Sequence, residues 1–323
     1  MKHIVVINTG GTIAMVENVE SKSVMPMDDK ALETFLPLFK DYAKVTMDNF
    51  MNLPSPHITP EMMYQLSKRI LHYVSKPEIE GVVITHGTDT LEETAYFLDL
   101  TVETNKPIVM TGAMRSFNEL GYDGPLNLLN SIRVAANSES MNKGVLVVFN
   151  DEIHSAKHVT KTHTSNVATF QSPGLGPLGT ISKKTINYQH RPLHQEKYRI
   201  SSITSYVPLI KVAAGMDSRI LLSLVDQSPD GLVIEALGQG NVPPAMLKGL
   251  QVYLDRKIPV VMVSRCFNGI VQDIYGYQGG GKQMKEMGVI FANGINGQKA
   301  RIKLMVALQV TKKREELEKI FSN

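Results

Sequence analysis

The sequence predicts an α/β protein of two α/β domains: a larger N-terminal domain on a mainly parallel sheet flanked by helices, and a smaller C-terminal parallel-sheet domain. Three observations predict it. Short apolar runs rich in β-branched residues lack in-and-out alternation, as strands covered on both faces require. Each run ends in glycine or polar residues and is mostly followed by a helical pattern. The rhythm breaks once, around Gln189-His190-Arg191-Pro192-Leu193-His194-Gln195-Glu196, which has neither helical nor alternating order. Read as a linker over 189–207, the break places the domains at 1–188 and 208–323.

The first run, Ile4-Val5-Val6-Ile7, follows Met1-Lys2-His3 directly. It is too short for a signal h-region and ends in glycines, so it reads as a strand and the protein as cytoplasmic. The next strands are expected at 81–85, 107–111 and 144–149. Between them, 91–100 reads as a helix with Glu92 and Glu93 in its first turn, where the helix dipole favours anions. Asp123-Gly124-Pro125 opens another helix to about Ala136, with proline near the start, where it is tolerated. Beyond the linker, strands are expected at 207–212, 231–236 and 259–264, a helix at 246–254, and a helical pair from Gln298 onward.

The 323 residues carry 34 Lys+Arg against 31 Asp+Glu, a net charge of +3, with 43% hydrophobic residues. That is a core-forming chain, neither disordered nor collagenous. Its charges are interspersed, without the Lys/Arg stripe that neutralises phosphates, so no nucleic-acid partner is expected. No window approaches the roughly 20 apolar residues of a membrane span. His154 and His158 would share a face only if helical and lack the intervening Glu of a zinc protease, so they read as solvated or packing residues and no metal is expected. Gly279-Gly280-Gly281-Lys282 is followed by Gln283 where a phosphate loop needs Ser or Thr. Cys266, the single cysteine, lacks a local protease signature and reads as a buried structural thiol.

In open α/β sheets, ligands bind beyond the carboxyl ends of the strands. Here those ends are rich in hydroxyls: Asn8-Thr9-Gly10-Gly11-Thr12-Ile13-Ala14, Thr85-His86-Gly87-Thr88-Asp89-Thr90 and Val159-Thr160-Lys161-Thr162. Together they offer two threonine nucleophiles, a carboxylate and a lysine. A threonine hydroxyl needs a base, and a partly desolvated lysine paired with a carboxylate is adequate. Taken singly, each has a plainer reading: a turn with a helix N-cap at Gly-Gly-Thr, an N-cap at Asp89, a solvated lysine at Lys161.

Thr9 to Ala14 and His86 to Thr90 resemble the two signature segments of the bacterial-type L-asparaginase/glutaminase family. Further segments follow in the family's order along the whole chain: 106–115, Asp123-Gly124-Pro125-Leu126-Asn127-Leu128, 145–151, Thr160-Lys161-Thr162 and Asn296-Gly297-Gln298-Lys299-Ala300-Arg301. The resemblance implies hydrolysis of L-asparagine to L-aspartate and ammonia without metal or organic cofactor, with a minor L-glutaminase activity allowed. It implies Thr12 as nucleophile forming a β-acyl-enzyme, and Thr88, Asp89 and Lys161 as a second triad. Asp89 would hold the substrate α-ammonium and Ser55 its α-carboxylate; backbone groups at Gly11, Gly87 and Ala113 would complete the pocket and oxyanion hole. Asn241 would reach in from a neighbouring subunit, which makes the protein a homodimer or homotetramer.

Two departures stand against the family pattern. Met15 to Lys40 contains no tyrosine where better-known members place one on a mobile loop against the nucleophile; Ser23-Val24-Met25-Pro26 occupies that region. Water, Lys22 or a tyrosine from elsewhere is then needed beside Thr12. A carboxylate that some members contribute across the interface aligns loosely with the neutral Gln278. The competing function is a non-catalytic amino-acid-binding protein on the same scaffold; a transamidosome-type subunit would carry an extra N-terminal domain.

Overall fold

The computed structural model describes every residue except Val19, Asp29, Lys30, Leu193, His194 and Asn323. The chain divides into two compact units, Met1–Lys197 and Tyr198–Asn323. Leu193 and His194 of the expected linker lie outside the described residues. The stretch up to Lys197 belongs with the first unit: Gln195 Nε2 donates to Asn142 O at 2.7 Å, and Lys197 Nζ donates to Asp99 O.

In the first unit the strands are β1 (His3–Asn8), β2 (Met15–Asn18), β3 (Ser23–Pro26), β4 (Lys44–Asn49), β5 (Gly81–Thr85), β6 (Ile108–Thr111), β7 (Val145–Phe149), β8 (Glu152–Ser155), β9 (Thr160–Lys161), β10 (Phe170–Gln171), β11 (Gly179–Ile181) and β12 (Ile186–Tyr188). The helices are α1 (Leu36–Phe39), α2 (Pro60–Val74), α3 (Leu91–Thr101) and α4 (Gly124–Ala136). Eight strands form one sheet in the order β12-β11-β8-β7-β6-β5-β1-β4. From β4 to β7 every pairing is parallel; β7–β8, β8–β11 and β11–β12 are antiparallel. Ile4 to Ile7, Val82 to Ile84 and Val145 to Val148 are all fully or almost fully buried, the consequence of a parallel sheet covered on both faces.

The second unit carries an all-parallel sheet of β13 (Leu209–Lys211), β14 (Leu232–Ala236), β15 (Val260–Ser264) and β16 (Ile290–Phe291), in that order. Its helices are α5 (Arg219–Val225), α6 (Leu247–Asp255), α7 (Gly281–Met287), α8 (Gly297–Ala307) and α9 (Arg314–Phe321). Its core gathers Ile234, Met246, Leu250, Tyr253 and Met262.

Helix α2 was not expected from sequence, yet its signals are local. Thr59 caps it by accepting from Met62 N–H at 3.3 Å, Pro60 opens it, and Met63, Leu66, Ile70 and Val74 bury one face. One expectation is corrected. Cys266 is exposed, because it falls in the turn after β15 and not on the strand. His154 lies on β8, so it and His158 share no helix face; it is fully buried, with Nδ1 3.0 Å from Ser172 Oγ and Nε2 3.2 Å from Glu152. Among the described residues no group of His, Cys, Asp or Glu could hold a metal, and no helix is long and apolar enough to cross a membrane.

Candidate active site

The first unit has a topological switch between β1 and β5. The chain leaves β1 to pair β4 on one side of it, then returns through α2 to place β5 on the other, so the loops after β1 and β5 face one crevice. The backbones of these loops touch. A Cβ on Gly11 would lie 2.3 Å from Gly87 Cα and N, and one on Gly112, after β6, would lie 2.4 Å from His86 O. Only glycine permits such approach, and Gly11 at φ +86° holds a conformation that other residues avoid. Thr12 and Thr88 each follow one of the two touching glycines.

Thr12 begins a single turn of 3-10 helix, Thr12–Ala14, and is half-buried. Gly11, not Thr12, is the capping residue, so the hydroxyl is not spent on the helix. The Gly11 N–H is taken by Leu53 O at 3.1 Å, which leaves donors other than Gly11's to meet an oxyanion. The loop after β6 is braced from α4. Asp123 accepts from Met114 N–H at 3.1 Å and Arg115 N–H at 3.0 Å, and Asn127 Nδ2 donates to Gly112 O at 3.1 Å. Ala113 lies fully buried between these anchors.

Lys161 arrives from a different part of the chain. It sits on β9, which pairs antiparallel with β10 so that Lys161 faces Phe170. Phe170 stacks on Phe149 at the end of β7 with centroids 4.3 Å apart, and Thr160 Oγ1 donates to Glu92 Oε1 at 3.1 Å, tying β9 to the first turn of α3. So held, Lys161 Nζ donates to Thr88 Oγ1 at 2.9 Å and to Asp89 Oδ1 at 2.7 Å. The Lys161 side chain is 15% exposed and that of Asp89 62%. Thr90 caps α3 and Asp89 turns to the lysine, so the plainer readings of both residues fail. A pair with one partner this exposed contributes at most about 1 kcal/mol to stability.

Ser55 is buried under the same loop; its Oγ accepts from Asp89 N–H at 3.2 Å and its carbonyl accepts from Thr90 Oγ1 at 2.8 Å. That leaves the Ser55 hydroxyl proton free to be donated. His86, fully buried, holds the Gly87 turn: Nδ1 lies 2.7 Å from Gly87 O, which can only accept, so Nε2 accepts from Thr94 Oγ1 at 2.9 Å. Burial pushes its pKa down to about 4, so the ring is neutral at physiological pH.

The exposed hairpin of β2 and β3 follows Thr12 directly, with Lys22 exposed at positive φ beside the turn. Residues 115–122 clasp it. Phe117 N–H donates to Met15 O, Asn118 exchanges two 2.9 Å bonds with the Glu17 backbone, and the Tyr122 hydroxyl donates to Ile13 O at 2.6 Å. Tyr122 packs with Phe35 and Phe117. A tyrosine does therefore reach the Thr12 turn, from outside Met15 to Lys40; the sequence named no such residue because 109 positions separate it from Ile13. In the second unit, Asn241 closes the Leu237–Asn241 turn, with Oδ1 accepting from Gly281 N–H at 3.2 Å, and Gln278 is exposed.

The chain is similar to known proteins along its whole length. Residues 3–194 match the family described as "Asparaginase, N-terminal", and residues 206–321 match the "Glutaminase/Asparaginase C-terminal domain". The chain is 37% identical to a protein of Deinococcus radiodurans named "Probable L-asparaginase", over all of this chain and 98% of that one. It is 35% identical to "L-asparaginase 2" of Escherichia coli, over all of this chain and 93% of the relative. A crystal structure titled as a probable cytoplasmic L-asparaginase from Campylobacter jejuni superposes with a TM-score of 0.90 at 33% identity, covering both chains completely.

Proposed function

The chain belongs to the asparaginase family, and from that premise we propose that its activity, hydrolysis of L-asparagine to L-aspartate and ammonia, runs through Thr12 as nucleophile and the Thr88–Asp89–Lys161 triad. The observation that carries this reading is the double donation from Lys161 Nζ, to Thr88 Oγ1 at 2.9 Å and Asp89 Oδ1 at 2.7 Å.

The Thr12 hydroxyl attacks the side-chain amide carbon, the C–N bond breaks, and ammonia leaves with the proton that Thr12 gave up. Water then cleaves the β-acyl ester, its hydroxide going to aspartate and its proton back to Thr12. Lys161 lowers the cost of negative charge on Thr88 Oγ1, so a proton can pass through Thr88 between the attacking group and the leaving nitrogen. Asp89 pairs with the substrate α-ammonium, for which its exposure suits it, and Ser55 donates its free proton to the α-carboxylate. N–H groups of the loops bearing Gly87 and Ala113 meet the developing oxyanion.

Glutamine is one methylene longer, worth about 1–3 kcal/mol in a pocket, so a minor glutaminase activity accompanies the main one. The compartment in the Campylobacter jejuni title, the cytoplasm, is proposed here too. The protein is proposed to be a homodimer or homotetramer with Asn241 serving a neighbour's site; exposed Phe267, Ile274 and Tyr277 on the second unit supply an apolar surface for such assembly.

Ammonia release from L-asparagine and L-glutamine by purified protein tests the reading, with Thr88→Ala as the blank. Release from asparagine that vanishes in the variant supports it. Silence from both substrates in folded protein makes this an amino-acid-binding protein instead.

A further inference from the structure

A second cavity, of about 460 Å³, lies in the first unit, and none of the proposed catalytic or substrate-binding residues lines it. Its apolar walls are Val145, Leu175, Leu178 and Pro192; its charged ones are Lys143, Lys157, Arg191 and Asp99. The charges do not cancel internally. Asp99, the one carboxylate among the described lining residues, already accepts from Val145 N–H at 2.9 Å and lies 3.4 Å from Lys197 Nζ, and Lys157 lies 4.0 Å from Glu196. Lys143 and Arg191 are left over.

Lys143 is only 7% exposed, yet its ammonium makes no hydrogen bond or ion pair among the described residues. Its contact is the face of the Tyr188 ring, 4.6 Å to the centroid, and the Tyr188 hydroxyl is engaged with Ser140 Oγ at 2.7 Å. Burial and then the Arg191 charge push the Lys143 pKa down, and the Glu139 carboxylate, which reaches it only through the field and not by an ion pair, offsets part of that. Proteins rarely bury an ammonium whose N–H groups meet no hydrogen-bond acceptor, because the water stripped from it is not replaced. A volume and apolar lining of this kind suit a small organic molecule better than an inorganic ion, which would leave Leu175, Leu178 and Val145 uncovered.

We propose that this cavity binds a small organic anion, its carboxylate, sulfonate or phosphate seated between Lys143 and Arg191 and its apolar body against Val145, Leu175 and Leu178. The two cations supply charge-assisted hydrogen bonds, and the walls favour a ligand that carries carbon as well as charge. The site is independent of asparagine hydrolysis, so its test reads binding and not turnover.

The probe is 8-anilinonaphthalene-1-sulfonate, an aromatic sulfonate whose fluorescence rises on burial, titrated into the full-length protein at low ionic strength. The expected result is one site per chain, weakened at least tenfold by Lys143→Met and by Arg191→Gln. Asparagine turnover stays unchanged in both variants and reports that they are folded; Arg191 is exposed, so its variant tests the site even if the core substitution fails to fold. Displacement by adenosine 5′-monophosphate or by hexanoate supports the proposal and tells phosphate from carboxylate. Probe binding that survives both substitutions overturns it, as does displacement by inorganic phosphate as effective as by either organic anion.

Discussion

The Tyr122 hydroxyl donates a 2.6 Å hydrogen bond to the carbonyl of Ile13, the residue that follows Thr12. Its phenol is pushed far above the usual tyrosine range, first by burial and then by the Asp123 charge, so it stays a neutral donor. With Phe35 and Phe117 it fixes the short turn that aims Thr12. Tyr122→Phe keeps the ring and removes only the donor. The expected loss is about 1 kcal/mol of stability, the scale of one hydrogen bond. Turnover falls about tenfold, because Thr12, the proposed nucleophile, is less well held, while KM stays within about twofold. Steady-state kinetics on asparagine beside a urea titration check this; an unchanged kcat with lowered stability would reduce Tyr122 to a packing residue.

Lys161 behaves in the opposite way. Its partner Asp89 is largely exposed, so Lys161→Met leaves the unfolding midpoint nearly unchanged, within about 1 kcal/mol, while kcat drops at least roughly 10²-fold. Thr12→Ala costs at least as much in kcat. Asp89→Asn keeps a hydrogen-bonding group but loses the charge for the α-ammonium, and raises KM. Near-normal turnover in Thr12→Ala or Lys161→Met defeats the role given to that residue.

The parallel core of the first unit was legible because both faces of β1, β5 and β7 are buried, so their sequences are continuous apolar runs. Strands with one wet face were not. In β4 only Asp48 of six residues is buried, and the sequence offers no apolar run there. The antiparallel edge of β8, β11 and β12 is built from short strands that carry too few residues for a period to show. At the site, Thr12, Thr88, Asp89 and Lys161 were named from the hydroxyl-rich strand ends and then from the resemblance, and Ser55 from the resemblance alone, but what holds them was not. Tyr122, Asn118 and the Thr160–Glu92 bond act across 68 to 109 positions of sequence, and only folding reveals such neighbours. Glu92 was read as an acid favoured by the helix dipole, and it does lie in the first turn of α3; what the sequence did not show is that it is buried and bonded to Thr160 on the strand that carries Lys161.

His86 makes the fold sensitive to acid. Its pKa lies near 4 when folded against the ordinary histidine value of 6.5, burial being the main cause. Between those values the unfolded chain binds a proton that the folded one refuses. Stability is therefore complete above pH 6.5, falls as pH drops through that window, and has lost roughly 3 kcal/mol by pH 4 from this residue alone. Urea midpoints from pH 7.5 to 4.5 should trace the fall. His86→Gln is less stable at neutral pH, having lost its bonds to Gly87 and Thr94, yet its profile is flatter over the same range; an equally steep profile would assign the slope to other groups.

The contact between Gly11 and Gly87 sets how closely the two threonine loops approach, and it predicts a contrast between glycines. At Gly11 an added methyl would meet Gly87 backbone atoms at 2.3 Å while the residue is held at φ +86°, ψ 177°. Neither side can yield as a flexible side chain would, since both are main chain. Steric overlap of about 1–3 kcal/mol adds to a backbone conformation essentially reserved for glycine, so Gly11→Ala costs about 3 kcal/mol or more. Gly215 also has positive φ, +77°, but nothing lies within 4 Å of an added Cβ. Gly215→Ala therefore costs only the left-handed backbone penalty, about 1–2 kcal/mol. Activity separates the two more sharply. Prying Gly11 from Gly87 moves Thr12 relative to Thr88, and a displacement near 1 Å costs about 10²-fold in rate, whereas Gly215→Ala retains full turnover once folded. Ammonia release measured well below each variant's unfolding temperature isolates that difference; equal turnover would mean that the two loops need not touch for the reaction to proceed.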